Sequence, residues 1–161
     1  MHFTLALILN TALVITTILI HYEALYHLAK HLPHLKKIAP RYRVLLGVCV
    51  IFVCHVIEIW IFALGYYGTS KINGMGSLIG NLSENGTFLD CVYLSFVTFT
   101  TVGYGDIVAL GYLRYLTGVE ALTGLVLITW SASFLFLEMQ RYWPISRHEK
   151  LARKRDRKFK L

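Results

Sequence analysis

Three long apolar runs constrain this chain more than any other feature. They extend over Phe3–Tyr22, Val44–Tyr67 and Tyr115–Leu137, and crossing a bilayer as an α-helix takes about 20 predominantly apolar residues. Only 16% of the 161 residues are charged, whereas a soluble domain has about 25%. The sequence therefore predicts an all-α membrane protein with three membrane-spanning helices.

A fourth apolar stretch, Phe88–Thr100, is too short to span a bilayer and is typical of a helix that enters the membrane and returns. It runs directly into residues 100–106, which read TTVGYGD. Non-helical backbone is tolerated at membrane depth only where protein buries it or water reaches it. Glycine at alternate positions permits positive φ, so successive carbonyl groups can point at one axis. A row of converging carbonyls would bind a dehydrated cation.

TTVGYGD resembles the selectivity filter of potassium channels, and the order of helices and loops around it resembles their pore module. The resemblance implies a pore domain over residues 44–140, with an outer helix (44–67), an outer loop (68–87), a pore helix (88–100), a filter (101–106) and an inner helix (112–140). The other segments are an N-terminal transmembrane helix (1–22), a basic, histidine-rich cytoplasmic linker (23–43) and a basic cytoplasmic tail (141–161).

The resemblance also implies roles for individual residues. It assigns ion binding to Thr101, Val102, Gly103, Tyr104 and Gly105. The backbone carbonyls of the first four would bind K+, with the Thr101 hydroxyl at the innermost site. Tyr104 would point away from the pore and brace the filter, and Asp106 would lie at the outer mouth. Because each chain carries one filter, the resemblance implies a homotetramer that needs no cofactor besides permeant K+.

Two positions depart from the family pattern. Val97 stands where some members carry a glutamate behind the filter, and Ala109 stands where many members have proline. The first departure removes a carboxylate partner for Asp106, so inactivation behaviour stays open. Neither departure affects the residues whose carbonyls would bind the ion.

Lysine and arginine predict the orientation of the spans. Five lie between the first two spans and nine follow the third, whereas the outer loop holds only Lys71. Because cytoplasmic loops carry the excess of basic residues, we expect a multi-pass cell-membrane protein with its N-terminus outside and its C-terminus in the cytoplasm. The first span lacks a basic n-region and an A-x-A-like cleavage site, which favours a retained helix over a signal peptide. The basic linker and tail favour anionic lipid; nucleic acid and small-molecule substrates are not expected partners.

Ionisable residues within spans are costly, and a functional role is their default interpretation. Glu58 and Glu120 are predicted to lie at similar depth, with Arg114 near the second. We therefore expect Glu58, Arg114 and Glu120 to form a structural charge cluster behind the filter. The alternative is a protonated glutamate, or one that reaches the interface.

Two further predictions concern gating. Gly124 is expected to act as a hinge in the inner helix, with Gly118 as a second candidate and close helix packing as the alternative role. In the linker, His27, His31 and His34 follow helical spacing, although Pro33 should end that helix near His31. They are candidate pH sensors, the alternative being ordinary interfacial histidines.

The sequence as a whole predicts a potassium-selective channel subunit. Three alternatives remain open: a non-conducting accessory subunit, a non-selective cation channel, and a membrane enzyme using His55, Glu58 and Glu120. No nucleophile or set of metal ligands accompanies these three residues, which disfavours the enzyme. No helix carries repeated arginines that would sense voltage, so the gating stimulus and the role of the first span are not predicted.

Overall fold

The structure, a computed structural model, describes residues 2–35, 38–83 and 87–142. The basic tail beyond residue 142, with the lipid contacts predicted for it, lies outside these ranges. The elements in chain order are α1 (His2–His31), a 3-10 helix (Leu32–His34), α2 (Pro40–Ser70), β1 (Leu78–Gly80), α3 (Phe88–Phe99), β2 (Ile107–Ala109) and α4 (Leu113–Tyr142).

The prediction of three membrane-spanning helices is confirmed, because α1, α2 and α4 are long and apolar enough to cross a bilayer. They contain 30, 31 and 30 residues, and each is therefore about 45 Å long, against a hydrocarbon core of about 30 Å. Each predicted span is the apolar middle of a longer helix. The α1 helix ends at His31 because Pro33 cannot continue it, and a 3-10 turn follows.

Large apolar side chains cover the outer surfaces of these helices. Ile8, Phe52, Leu64 and Leu122 are each more than half exposed in the single chain. A soluble monomer rarely leaves contiguous apolar surface uncovered. These faces suit lipid or neighbouring subunits.

The core lies around α2, which packs against α1, α3 and α4. Phe62 and Tyr66 from α2, Phe99 from α3, and Leu116 and Leu127 from α4 are almost completely buried in one cluster. A second cluster is formed by Leu25, Leu28, Leu32 and Ile51, and it attaches the end of α1 to α2. Helix α3 therefore packs between α2 and α4, the long helices that precede and follow it in the sequence.

The outer loop contributes a strand to a small sheet. Strands β1 and β2 pair antiparallel, with Leu78 opposite Ala109 and Gly80 opposite Ile107. Just before β2, the carbonyl of Asp106 accepts a hydrogen bond from the Asn81 N–H at 2.9 Å. The sheet therefore ties the outer loop to the backbone that leaves the filter.

The N-terminus of α3 is fixed by Asp90. Its carboxylate accepts hydrogen bonds from the backbone N–H and hydroxyl of Thr87, at 2.6 and 3.0 Å, and from the Ser83 hydroxyl at 2.8 Å. Partial burial would raise the pKa of Asp90, but these hydrogen bonds outweigh it and hold the pKa below its usual range. A carboxylate in the first turn also complements the positive end of the helix dipole.

Candidate functional site: the filter and its supports

The backbone of residues 101–105 alternates in handedness. Thr101, Gly103 and Gly105 have φ of 60°, 54° and 79°, while Val102 and Tyr104 between them do not have positive φ. Glycine adopts this region without strain, whereas threonine does so at a cost. Alternation at every second residue brings successive carbonyl groups towards one side of the strand.

These five residues have free carbonyl groups. Within the part of the chain that the structure describes, no donor reaches the backbone oxygen of any residue from Thr101 to Gly105. All five residues are exposed. Backbone carbonyls are strong acceptors that require a partner, so this strand presents five oxygens to water, to a cation or to both.

The N–H groups of the same strand bind the end of α3. The last carbonyls of a helix have no partner within the helix. Here the Thr98 carbonyl accepts from the Thr101 N–H at 2.9 Å, and the Val97 carbonyl accepts from the Gly103 N–H at 3.0 Å. The filter strand therefore caps the pore helix, and the N–H groups that do so turn away from the free carbonyls.

The outer end of the filter is held by a pair that the sequence did not reveal. The hydroxyl of Tyr93, on α3, donates to Asp106 Oδ2 at 2.7 Å. This bond raises the pKa of Tyr93. Asp106 thus has a partner even though Val97 replaces the glutamate of some potassium channels. The two residues are separated by 13 positions in the sequence. No local pattern predicts their contact, because it depends on how the filter folds back along α3.

The base of the filter is in close contact with Gly124 of α4. A Cβ atom at this position would lie 2.1 Å from the Phe99 carbonyl oxygen at the end of α3. Only glycine lets the two helices approach so closely. The packing role considered for Gly124 is therefore present in the structure, and α4 continues through it without a break. A hinge at Gly124 stays a prediction.

A buried carboxyl group connects α2, α3 and α4 behind the filter. Glu120 Oε2 lies 2.5 Å from the Tyr66 hydroxyl, and Oε1 makes a short hydrogen bond with Ser95. The Ser95 hydroxyl is also 2.7 Å from the Ile59 carbonyl. The Ser95 hydroxyl has one proton, but two acceptors lie within reach. A protonated Glu120 therefore allows both hydrogen bonds to form, because Glu120 donates to Ser95 and Ser95 donates to the Ile59 carbonyl.

The predicted cluster of Glu58, Arg114 and Glu120 does not form within the chain. Among the described residues, no hydrogen bond or ion pair joins any two of the three; Glu58 instead binds His21 and His55. The prediction was wrong because α2 continues to Ser70, which places Glu58 about 18 Å from the outer end of its helix, against about 10 Å for Glu120.

Part of the filter surface is uncovered in a single chain. Val102 is 53% exposed and Tyr104 is 73% exposed. A groove beside the filter is lined by apolar residues, including Leu94, Val97 and Val108, and by the polar residues Thr98, Arg114 and Thr117. The brace predicted for Tyr104 therefore has no counterpart within its own chain.

The three linker histidines are at the surface. His31 and His34 each bond through Nδ1 to the backbone carbonyl four residues earlier, at 2.8 Å. His27 lies 3.7 Å from Glu23, with both side chains about 60% exposed. Nothing in this arrangement tests pH sensing, which stays a prediction for these residues.

A family model described as an ion channel matches residues 50–141. The match includes most of α2, the pore helix, the filter strand and α4, and it covers more than half of the chain. The chain belongs to this ion channel family. Searches of curated proteins and of solved structures gave no match.

Membership in the ion channel family gives the general class of this protein. It places the chain among membrane transport proteins and not among enzymes. The free carbonyls of residues 101–105 lie inside the matched range. The α1 helix lies outside that range.

Proposed function

We propose that four copies of this chain form a potassium-selective channel, which conducts K+ passively in single file between the carbonyls of residues 101–104. The observation that carries the proposal is the filter strand itself: five consecutive carbonyls lack a partner in the described chain, and the backbone alternates in handedness through them. Carbonyl oxygens of a TVGYG strand replace the hydration shell of K+ in potassium channels. The Thr101 hydroxyl, which forms no hydrogen bond within the described part of the chain, would complete the innermost site.

Two surfaces of the chain support a ring of four copies. One strand cannot surround an ion, so several strands must meet on an axis. The exposed Tyr104 ring and the apolar groove around Leu94 and Val97 offer complementary surfaces for a head-to-tail contact. Repeated four times, that contact closes the ring and buries each Tyr104 against its neighbour.

The orientation follows from charge. The basic linker and tail lie in the cytoplasm beside anionic lipid, and the N-terminus lies outside, because the outer loop holds only one basic residue. Ions then meet Asp106 first when they enter from the outside. The K+ current runs down the electrochemical gradient without any cofactor.

The test is ion flux through the full chain in liposomes. We expect K+ to pass at least about tenfold faster than Na+, in a protein that migrates as a tetramer. Gly103→Ala should abolish the K+ preference, since the new side chain costs about 1–2 kcal/mol at a φ of 54°. Gly68→Ala is the matched control: a Cβ atom meets nothing within 4 Å at either position, and only Gly103 has positive φ.

Each other outcome contradicts the proposal in a defined way. Equal K+ and Na+ flux in the wild-type chain would make it a non-selective cation channel. A well-folded tetramer without flux would make it an accessory subunit. A monomer or dimer would remove the shared axis that the mechanism requires.

A further inference from the structure

Four polar side chains form a closed ring inside the chain, away from the filter. His21 comes from α1, His55 and Glu58 from α2, and Ser131 from α4. Glu58 Oε1 lies 2.8 Å from His21 Nδ1, and Oε2 lies 2.8 Å from His55 Nδ1. The Ser131 hydroxyl lies 3.2 Å from Nε2 of each histidine. We call this group the His–Glu–Ser ring.

The ring contains four hydrogen bonds and therefore needs four protons, one for each bond. An ionised glutamate supplies none, each neutral imidazole supplies one, and the serine hydroxyl supplies one. The residues in their ordinary states at neutral pH thus provide three. One bond from Ser131 would then join two acceptors. Adding one proton to a histidine completes all four bonds, because that ring donates to Glu58 and to Ser131 while Ser131 donates to the other ring.

The charge of the ring also indicates that one proton must be added. The side chains of His21 and Glu58 are completely buried, and that of His55 is 17% exposed. A buried carboxylate beside two neutral histidines leaves one uncompensated negative charge, which is costly in the interior. One added proton makes the ring neutral. Imidazole is the more basic partner, so the proton resides on a histidine.

We propose that the His–Glu–Ser ring is a proton-binding site, holding one histidine charged at a pH where exposed histidines are neutral. The proton is what lets Ser131 bond to both histidines at once. Losing it breaks one of the two hydrogen bonds that join Ser131 of α4 to His21 of α1 and His55 of α2. The ring therefore links proton concentration to the attachment of α1 and α2 to the inner helix.

The surroundings of the ring add no competing charge. The Cys54 thiol, one turn before Glu58, donates to Glu58 Oε1 at 3.3 Å and so needs no further proton. Trp130 of α4 packs against His21, and Phe99 of α3 packs against His55. Apart from Cys54, no titratable side chain in the described ranges forms a hydrogen bond or ion pair with the ring.

A divalent cation is the competing occupant. The ring nitrogens and the carboxylate oxygen lie within 4.8 Å of one another, which is close enough for such an ion. The separations of 2.8 Å between each Nδ1 and its Glu58 oxygen, however, are those of N–H···O hydrogen bonds. The distances favour a proton between the two atoms.

The test counts charged histidines in the full chain by 15N NMR of histidine-labelled protein. At pH 8 ordinary histidines are neutral, and we expect one of the seven histidines to keep both ring nitrogens protonated. In Ser131→Ala the charged ring loses its acceptor, so the proton-binding constant should fall at least about tenfold. Ser133→Ala is the matched control, because that hydroxyl bonds only to the Thr129 carbonyl of its own helix.

Three results would overturn the proposal. The first is that all seven histidines are neutral at pH 8. The second is that Ser131→Ala and Ser133→Ala bind the proton equally well. The third is one zinc ion per chain in protein purified without added metal. Ser131→Ala keeps both histidines, so the test remains decisive if a histidine variant does not fold.

Discussion

Replacing Gly124 with alanine tests how closely the inner helix approaches the base of the filter. The new Cβ atom would lie 2.1 Å from the Phe99 oxygen, 2.9 Å from its carbonyl carbon and 3.0 Å from its Cα atom. All three atoms are backbone, so no side chain can rotate away. The helices must separate by about 0.9 Å before the oxygen contact reaches even 3.0 Å.

The magnitude follows from two opposing effects. Alanine in place of glycine inside a helix stabilises it by about 0.5–1 kcal/mol. Overpacking at a closely packed contact costs about 1–3 kcal/mol. Gly124→Ala should therefore be destabilising overall in most of this range, whereas Gly68→Ala, with nothing within 4 Å of its Cβ atom, should be neutral or stabilising. Because Phe99 immediately precedes Thr100 and the filter, the displacement should also reduce the preference for K+.

Thermal unfolding in detergent and K+ flux in liposomes measure these two effects. We expect Gly124→Ala to unfold at lower temperature than Gly68→Ala and to lose part of its selectivity. If both variants unfold at the same temperature and conduct alike, α4 does not approach Phe99 as closely as the structure shows. If stability is kept and only the open probability changes, the hinge role is correct and the packing argument is refuted.

Substitutions at three further positions test the supports of the filter. The free energy of unfolding of Glu120→Gln should be within about 1 kcal/mol of wild type, because the amide can donate to Ser95 as a protonated carboxyl group does. Glu120→Ala should lower the free energy of unfolding by about 2–4 kcal/mol. Equal losses of stability in the two variants would contradict this arrangement. Tyr93→Phe removes the only hydrogen bond to the Asp106 carboxylate within the described chain, and we expect faster loss of K+ current during prolonged recording, with unchanged selectivity. Because the pKa of Asp90 is lowered by folding, its contribution to stability is present above about pH 4 and is lost as pH falls through its folded value. Asp90→Asn should therefore lower the unfolding temperature at pH 7 and flatten its dependence on acid pH; an unchanged acid limb would contradict the assignment.

Periodicity and length predicted most of the fold. The apolar runs located α1, α2 and α4, and Pro33 marked the end of α1. The length of the stretch Phe88–Thr100 predicted a helix too short to span the bilayer, in agreement with the 12 residues of α3. The position of the filter strand followed from its two glycines. These features are local, so they can be inferred from neighbouring residues.

Contacts between helices could not be inferred in the same way. Glu58 and Glu120 were expected to meet because both were placed at a similar depth in the membrane. An error of a few residues in the end of α2, however, changes the depth of Glu58 by several ångströms. His55 and Glu58 are three residues apart and therefore share one face of α2, where a hydrogen bond of 2.8 Å joins them. The partners from α1 and α4 depend on the register between helices, which no local pattern records. The pairing of Tyr93 with Asp106 was missed for the same reason.

The filter and the His–Glu–Ser ring are connected through α4 and Phe99. Gly124 and Ser131 lie on the same face of α4, since seven residues make nearly two helical turns. At Gly124, α4 contacts the backbone of Phe99, and at Ser131 it contacts the His–Glu–Ser ring. The centroid of the Phe99 side chain lies 5.7 Å from that of the His55 ring. The contact at Gly124 has no free space, so a shift of α4 at Ser131 must be accompanied by movement at the base of the filter. A change in the protonation of the ring would therefore reach the residues proposed to bind K+ through the packed contacts of Gly124 and Phe99.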